Sequence, residues 1–249
     1  EDYVSWNWLG SNTTSTTSPA GSIASTSSVA SAGHFSVGTY TGQTAAGTVG
    51  HGLGGVAEMV IVWDKGFDNS IVVYHYGAAS DAATDYLILN QTDGANDSVL
   101  MWNDTAPTSS VFSVGTGNNT NGNTRPKSFL AFRSVPGVCK VGSYIGNGNA
   151  AGPHINLGFK PAFFLQKKTS GTASWYIHDS KRNPVNVVNK HLRPSTSAVE
   201  STFTAMDFLS DGVKIRTSNG DFNTSTGTYI YLAMADIGGN GTLPPVYGR

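Results

Sequence analysis

The residues able to do chemistry are few and scattered. Six histidines (His34, His51, His75, His154, His178 and His191), one cysteine (Cys139) and three glutamates (Glu1, Glu58 and Glu200) are spread over 249 residues. A protein-held metal ion asks for three or four ligands at workable spacing. No His-x-His, His-x3-His or cysteine pair occurs, so no metal site is expected. Gly50-His-Gly-Leu-Gly-Gly55 has the look of an oxyanion-hole loop, but such a loop serves a nucleophile on a Gly-x-Ser-x-Gly elbow, and none is present. Asp93, Asp97 and Asp104 do not follow the alternating spacing of a calcium loop. Nothing selects a facing carboxylate pair of the kind glycosidases use. The expectation is therefore no catalytic residue, no metal and no cofactor, with ligand-binding residues unassigned. Five tryptophans, Trp6, Trp8, Trp63, Trp102 and Trp175, are the side chains able to stack on a sugar. Trp102, beside Asn103 and Asp104, is the best placed for an exposed ring, although aromatic rings in a β-protein more often fill the core.

Composition narrows the classes further. Charged residues make up 12% of the chain, and 15 basic against 16 acidic residues leave a net charge of −1. No basic stripe is available for nucleic acid or for an anionic membrane, and no apolar run approaches the length of a bilayer span. Cys139 has no partner for an intrachain disulfide and reads as a buried, inert thiol. The sequons Asn90-Gln-Thr92 and Asn103-Asp-Thr105 follow from an Asn/Thr-rich composition and carry no expectation of glycosylation. The chain opens at Glu1 without Met or a signal-peptide pattern, as expected of a processed end or a piece of a longer array.

The elements that must position these residues recur. Gly33-His-Phe-Ser-Val-Gly-Thr-Tyr-Thr-Gly42 aligns with Gly137-Val-Cys-Lys-Val-Gly-Ser-Tyr-Ile-Gly146, with Gly33/Gly137, Val37/Val141, Gly38/Gly142, Tyr40/Tyr144 and Gly42/Gly146 identical. The same offset pairs Leu53-Gly54 with Leu157-Gly158, and Met59–Val62 with Phe163–Gln166. It places Ile155–Phe159 at the Gly50–Gly55 loop without a histidine, which favours a shared turn over an oxyanion hole. With small slips it also pairs Tyr74-His75 with Ile177-His178, Val111–Thr116 with Gly212–Thr217, and Phe129–Phe132 with Tyr231–Met234. His75 and His178 thus read as matching, hydrogen-bonded strand-end histidines, and Tyr40 and Tyr144 as matching core residues.

Short β-rich apolar runs punctuated by Gly, Asn, Asp and Pro predict antiparallel strands in a sandwich. Ser210-Asp-Gly212, Ser218–Asp221 and Asn121-Gly-Asn123 are turns. Ser197–Met206 is the one stretch expected to form a helical turn or two. The reading is an all-β chain of two tandem β-sandwich (jelly-roll or concanavalin-like) units. Residues 1–32 are an N-terminal strand plus a Ser/Thr-rich extended linker, 33–136 the first unit, 137–237 the second, and 238–249 a tail. Within the linker, Ile23–Val29 has an extended pattern suited to lying on a neighbour. Tyr3-Val-Ser-Trp6 resembles Phe129–Phe132, the closing strand of the unit. Residues 3–8 are accordingly expected to complete a sheet in a neighbouring subunit or an upstream segment, with Trp6 and Trp8 on its apolar face.

Several strings carry a family resemblance: Gly33–Gly42 followed by Thr48–Gly54, Trp102–Gly115, Gly142–Pro153, Asp179–Pro184 and Phe208–Gly212. Together they resemble a domain of unknown function found in virion proteins of marine tailed phages, cyanophages especially, over residues 3–237. The resemblance implies a virion structural protein, in a tail fibre, tail appendage or capsid surface layer, and transfers no catalytic residue. The partners it implies are copies of itself and other virion proteins, without nucleic acid or membrane. A host-surface carbohydrate-binding module is the alternative, and a polysaccharide depolymerase a distant third.

Overall fold

The computed structural model describes residues 4–11, 16–18, 20–66 and 69–236. It is nearly all β. Strands β1 (Thr16–Ser18) and β2 (Ser25–Val29) lead into β3 (Phe35–Thr41), β4 (Gly47–Gly50), β5 (Met59–Asp64), β6 (Val72–His75), β7 (Asp85–Ile88) and β8 (Asn96–Asp97). One helical turn, α1 (Val99–Trp102), precedes β9 (Val111–Val114), and another, α2 (Asn118–Asn121), precedes β10 (Pro126–Phe132). Then come β11 (Cys139–Ile145), β12 (His154–Asn156), β13 (Pro161–Lys168), β14 (Tyr176–Asp179), β15 (Val188–His191), β16 (Ser201–Phe208) and β17 (Gly212–Ile215). A third turn, α3 (Gly220–Asn223), and β18 (Thr228–Ala235) close the described fold.

Four antiparallel sheets result. The largest runs β1-β2-β3-β10-β5-β6-β7-β8, and a small sheet, β4-β9, covers one of its faces. The second half forms β11-β18-β13-β14 and β12-β17-β16-β15. The order β3-β10-β5-β6 has the same chain ranks as β11-β18-β13-β14, and β4-β9 the same as β12-β17.

Side chains on a strand alternate between faces, and here both faces are apolar. On β5, Met59 and Ile61 point into one core while Val60 and Val62 point into another. On β18, Ile230, Leu232 and Met234 join the core of Met59 and Ile61, while Tyr229, Tyr231 and Ala233 face a third. The middle core draws Phe35, Met59, Ile61, Val73 and Phe132 from the first half, and Val141, Phe163, Leu165, Trp175 and Leu232 from the second. The two larger sheets therefore stack face to face, each with a further sheet on its outer side. Each fully buried Val, Leu, Ile or Phe contributes roughly 1.5–3 kcal/mol, so this seam is a major source of stability.

The recurring residues have matching structural duties. Gly38 lies opposite Phe129, and Gly142 opposite Tyr231. A Cβ at either glycine would overlap the facing aromatic ring, which lies flat across the strand. The Tyr40 hydroxyl donates to the Thr120 carbonyl, and that of Tyr144 to the Phe222 carbonyl at 2.9 Å. Both ties hold a one-turn helix against its sheet. The last residue of each helix is a fully buried asparagine, Asn121 or Asn223. Asn121 accepts from the Gln43 amide (2.8 Å) and donates to the carbonyls of Ala45 and Gly115 (2.8 Å each). Asn223 accepts from the Asn147 amide (2.7 Å), and its side-chain nitrogen reaches the carbonyls of Asn149 (2.7 Å) and Thr217 (2.8 Å). A buried amide with its bonding capacity filled stabilises only while every partner stays in place.

The N-terminal expectations are corrected. Residues 4–11 form no strand, and Tyr3 lies outside the described residues. The predicted alternation survives: Val4, Trp6 and Trp8 are half-buried, while Ser5, Asn7 and Leu9 are exposed. The apolar side, however, folds back onto its own chain. Trp8 packs edge-on against Phe163 at 5.2 Å and Phe132 at 6.4 Å, and Trp6 against Phe163 at 5.7 Å. The Arg182 guanidinium sits 5.7 Å from the Trp6 ring. This N-terminal strap thus plugs one end of the seam between the halves, because the nearest large apolar surface lies there. Residues 9–32 are likewise not all linker. β2 pairs with β3 from Ser25↔Tyr40 to Val29↔Ser36, so Ile23–Val29 serves its own sheet rather than a neighbour. Ser197–Met206 holds no helix; its end is β16, where Thr and Phe favour a strand. The 238–249 tail lies outside the described residues.

Two substitutions test these ties by chemical denaturation. Trp8→Ala should cost roughly 2–4 kcal/mol, because it opens the end of the seam. Asn223→Asp, nearly isosteric, should cost about 3 kcal/mol or more, because it sets a carboxylate against two carbonyls.

Candidate functional site

The sequence-selected residues divide into structural posts and one cluster. His51 is fully buried and locked: Nδ1 accepts from the Leu53 amide at 3.2 Å and Nε2 donates to the Thr108 carbonyl at 3.1 Å. Burial lowers its pKa. The Gly50–Gly55 loop is thereby a pinned turn. His75 is also buried. Its Nδ1 accepts from the Gly77 amide at 3.0 Å, and its Nε2 donates across the seam to the Tyr231 carbonyl at 3.3 Å. Desolvation holds its pKa down to about 4. Cys139 is buried, and desolvation raises its pKa far above the ordinary thiol value. Asp97 lies opposite Asp85 at the β7–β8 edge. Among the described residues no three His, Cys, Asp or Glu side chains gather closely enough to hold a metal ion.

Trp102 corrects the expectation of an exposed ring. It is 1% exposed and meets Tyr74 edge-on at 5.9 Å. Ser98 caps α1 by accepting from the Leu100 amide, and the turn rolls Trp102 inward beneath β9. Trp6 and Trp8 instead help line a cavity of about 650 Å³ at the end of the seam, with Val138, Phe163 and Ala235.

The cluster lies in the second half and was not legible as a motif. His191, at the end of β15, faces Ser201, at the start of β16, and its Nε2 lies 2.8 Å from the Ser201 Oγ. Behind it stands His178 on β14, fully buried, with ring centroids 5.7 Å apart. Neither nitrogen of His178 has a hydrogen-bond partner among the described residues. The expected match of His75 with His178 is corrected by register: His75 lies opposite Met59, whereas in the second half Asp179 lies opposite Phe163, and His178 sits one place earlier, on the other face of β14. Desolvation, reinforced by His191 and Arg182, lowers the His178 pKa to about 3. Desolvation and Arg193 lower that of His191. Both rings are neutral at pH 7.

The sheet leaves room beside this pair. β16 pairs with β17 only from Met206↔Ile215 to Phe208↔Val213, although β16 begins at Ser201. The half of β16 that β17 leaves unpaired is held by β15 alone and stands off from α3, and a cavity of about 230 Å³ opens between them. Its walls are Tyr176, His191, Ser201, Phe203, Asn219 and Phe222. Phe203 stacks on Phe222 at 5.8 Å and 17°, and the Tyr176 hydroxyl donates to Asp221 at 2.6 Å. Asn219 caps α3 through its side-chain oxygen, which accepts from the Asp221 amide at 2.9 Å. A Ser–His contact of this length is the geometry of an activated nucleophile, but no carboxylate orients Nδ1 of His191 as a triad requires.

Over residues 1–237 the chain matches a domain of unknown function, DUF7483. It belongs to that family. No curated protein and no solved structure matches it. The cluster in this DUF7483 chain gathers residues far apart in sequence: Tyr176, His191, Ser201, Phe203 and Phe222 come from three strands and a helical turn. The one available signal was Phe203, an apolar residue among Ser201, Thr202 and Thr204.

The buried neutral histidines set a pH dependence. In the unfolded chain they titrate near 6.5, above their folded values, so their contribution is complete above about pH 6.5. As pH falls toward 4 for His75 and 3 for His178, the unfolded state gains protons that the folded state refuses, and stability drops. Each histidine adds a slope approaching about 1.4 kcal/mol per pH unit. Urea titrations at pH 7.0, 5.5 and 4.5 should show the decline. His178→Leu should remove one share of it and leave stability at pH 7 equal or higher, because an unpartnered buried imidazole is lost.

Proposed function

We propose that this chain is a non-catalytic structural component of a virion, in a tail fibre, tail appendage or capsid surface layer, built from two copies of one β-sandwich unit. The observation that carries the reading is the stack of sheets apolar on both faces and plugged by the N-terminal strap. Such a body is rigid and resists being pulled apart, and its surface is rich in Thr, Asn and Ser and poor in charge. The matching strand ranks of the halves and the paired duties of Asn121 and Asn223 support duplication. Among the described residues no carboxylate is hydrogen-bonded to His191, which supports a non-catalytic role. The resemblance to phage virion domains supplies the setting. Assembly into homo-oligomers would use sheet edges. β11 ends its sheet, whereas β3, its counterpart, carries β2. Ile145, on β11, is 58% exposed.

The test has two parts. Antibodies raised to the purified chain should label intact particles, and mass spectrometry should find the protein in them; its absence from purified particles would overturn the reading. In solution the chain should self-associate at micromolar concentration, and Ile145→Lys should shift sedimentation toward the monomer, since charged edge residues block strand pairing. A second reading, a host-surface carbohydrate-binding module, is favoured by one observation: the aromatic and uncharged polar lining of the cavity beside His191.

A further inference from the structure

The geometry points to a binding site for a single neutral sugar ring in the cavity between the first half of β16 and α3, with Phe203 as the stacking platform and Ser201 and Asn219 as the polar contacts. The inference rests on the second reading above and gives it a place and a ligand class.

Three observations converge. The first is the lining. Tyr176, His191, Ser201, Thr202, Phe203, Asn219 and Phe222 include no side chain that carries a charge at neutral pH, so neither an anion nor a cation is selected. A sugar ring has one face of C–H groups and a rim of hydroxyls. It asks for an aromatic surface beside uncharged donors and acceptors, which is the mixture here. The second is Phe203. It is 38% exposed on a strand whose neighbouring side chains, Thr202 and Thr204, are polar and exposed. Its ring is held by stacking on buried Phe222, so its orientation is set before any ligand arrives. Preorganisation of this kind lowers the ordering cost of binding. The third is unused hydrogen-bonding capacity. The Asn219 oxygen is committed to capping α3, which leaves its NH₂ to donate to a ligand. Ser201 is held by His191 at 2.8 Å, and neutral His191 leaves that hydroxyl able to exchange bonds with a ligand.

Size agrees. A cavity of about 230 Å³ is smaller than the roughly 300–1,000 Å³ of drug-sized sites, as suits one ring rather than a long chain. Among the described residues the first half offers no equivalent, because its outer sheet has β4 and β9 alone, and α1 with buried Trp102 occupies the flank. One site per chain follows, and an oligomer would multiply weak single-site affinity.

The experiment uses the full chain with methyl glycosides of glucose, galactose and mannose, read by saturation-transfer NMR and by titration. Saturation should pass chiefly to the ring C–H protons of at least one sugar, with millimolar affinity. Phe203→Ala should weaken it about tenfold or more while the chain stays folded with a modestly lower thermal midpoint, since the ring is only partly buried; Phe203→Trp should retain or improve it. Ser201→Ala should weaken it less. Wild-type affinity in Phe203→Ala, or no transfer to any of the three sugars, overturns the site. Binding to purified host-surface polysaccharide separates the two failures. If the wild type and Phe203→Ala bind it equally, this cavity is the wrong place but the carbohydrate reading stands. If the wild type binds neither polysaccharide nor sugar, both fall.

Discussion

The burial of two sheets on both of their faces is the constraint on which the rest of this structure depends. A strand in an ordinary sandwich alternates apolar and polar residues, one face in and one face wet. Here β5 and β18 are apolar at nearly every position, and β13 from Pro161 to Leu165, because one set of side chains fills a sandwich core and the other fills the seam between the halves. The molecule cannot be cut at the junction near Gly137 without exposing Met59, Ile61, Phe132, Phe163 and Leu232. Trp6 and Trp8 follow from the same constraint: the seam has an open end, and large rings on the N-terminal strap close it.

Fixed sheets leave polar groups to be placed, and the two halves solve the shared problems alike. Each helical turn between the last two strands is held by a tyrosine hydroxyl from the first strand and by a buried asparagine at its own end. Each first strand bears a glycine under an aromatic ring of the closing strand. These devices are mutually dependent, since the ring can lie flat only if the glycine is there, and the asparagine can bond only if the turn is seated.

Where the halves differ, the second gains β15 and the long β16. The first places α1 and Trp102 at the flank, a closed solution. The second extends a strand beyond its pairing partner and leaves a gap beside His191. His178 reflects the difference: it takes the register place that Tyr74 holds in the first half, and it faces the aromatic cluster with no hydrogen-bond partner among the described residues. A recessed, uncharged cavity arises where the flanks of the two halves differ although their central strands share one order.

Local chemistry was legible in the sequence: the short β-rich runs, the turn at Ser210–Gly212, the all-β class, and the core fate of Tyr40 and Tyr144; Ser218–Asp221, expected as a glycine turn, instead caps and opens α3. These depend on alternation with period two and on turn residues, which act over a few positions. Three things were settled only by tertiary structure. Trp6 and Trp8 alternate as a strand would, but their side chains find the seam of their own chain because a second apolar sheet lies within reach. Trp102 sits in a polar stretch, yet a one-turn helix rotates it into the core. Ser201 and His191 become neighbours through strand register, and the cavity exists because a ladder ends at Met206. Register and the meeting of faces are set by contacts between distant residues, and no local pattern encodes where such a ladder stops.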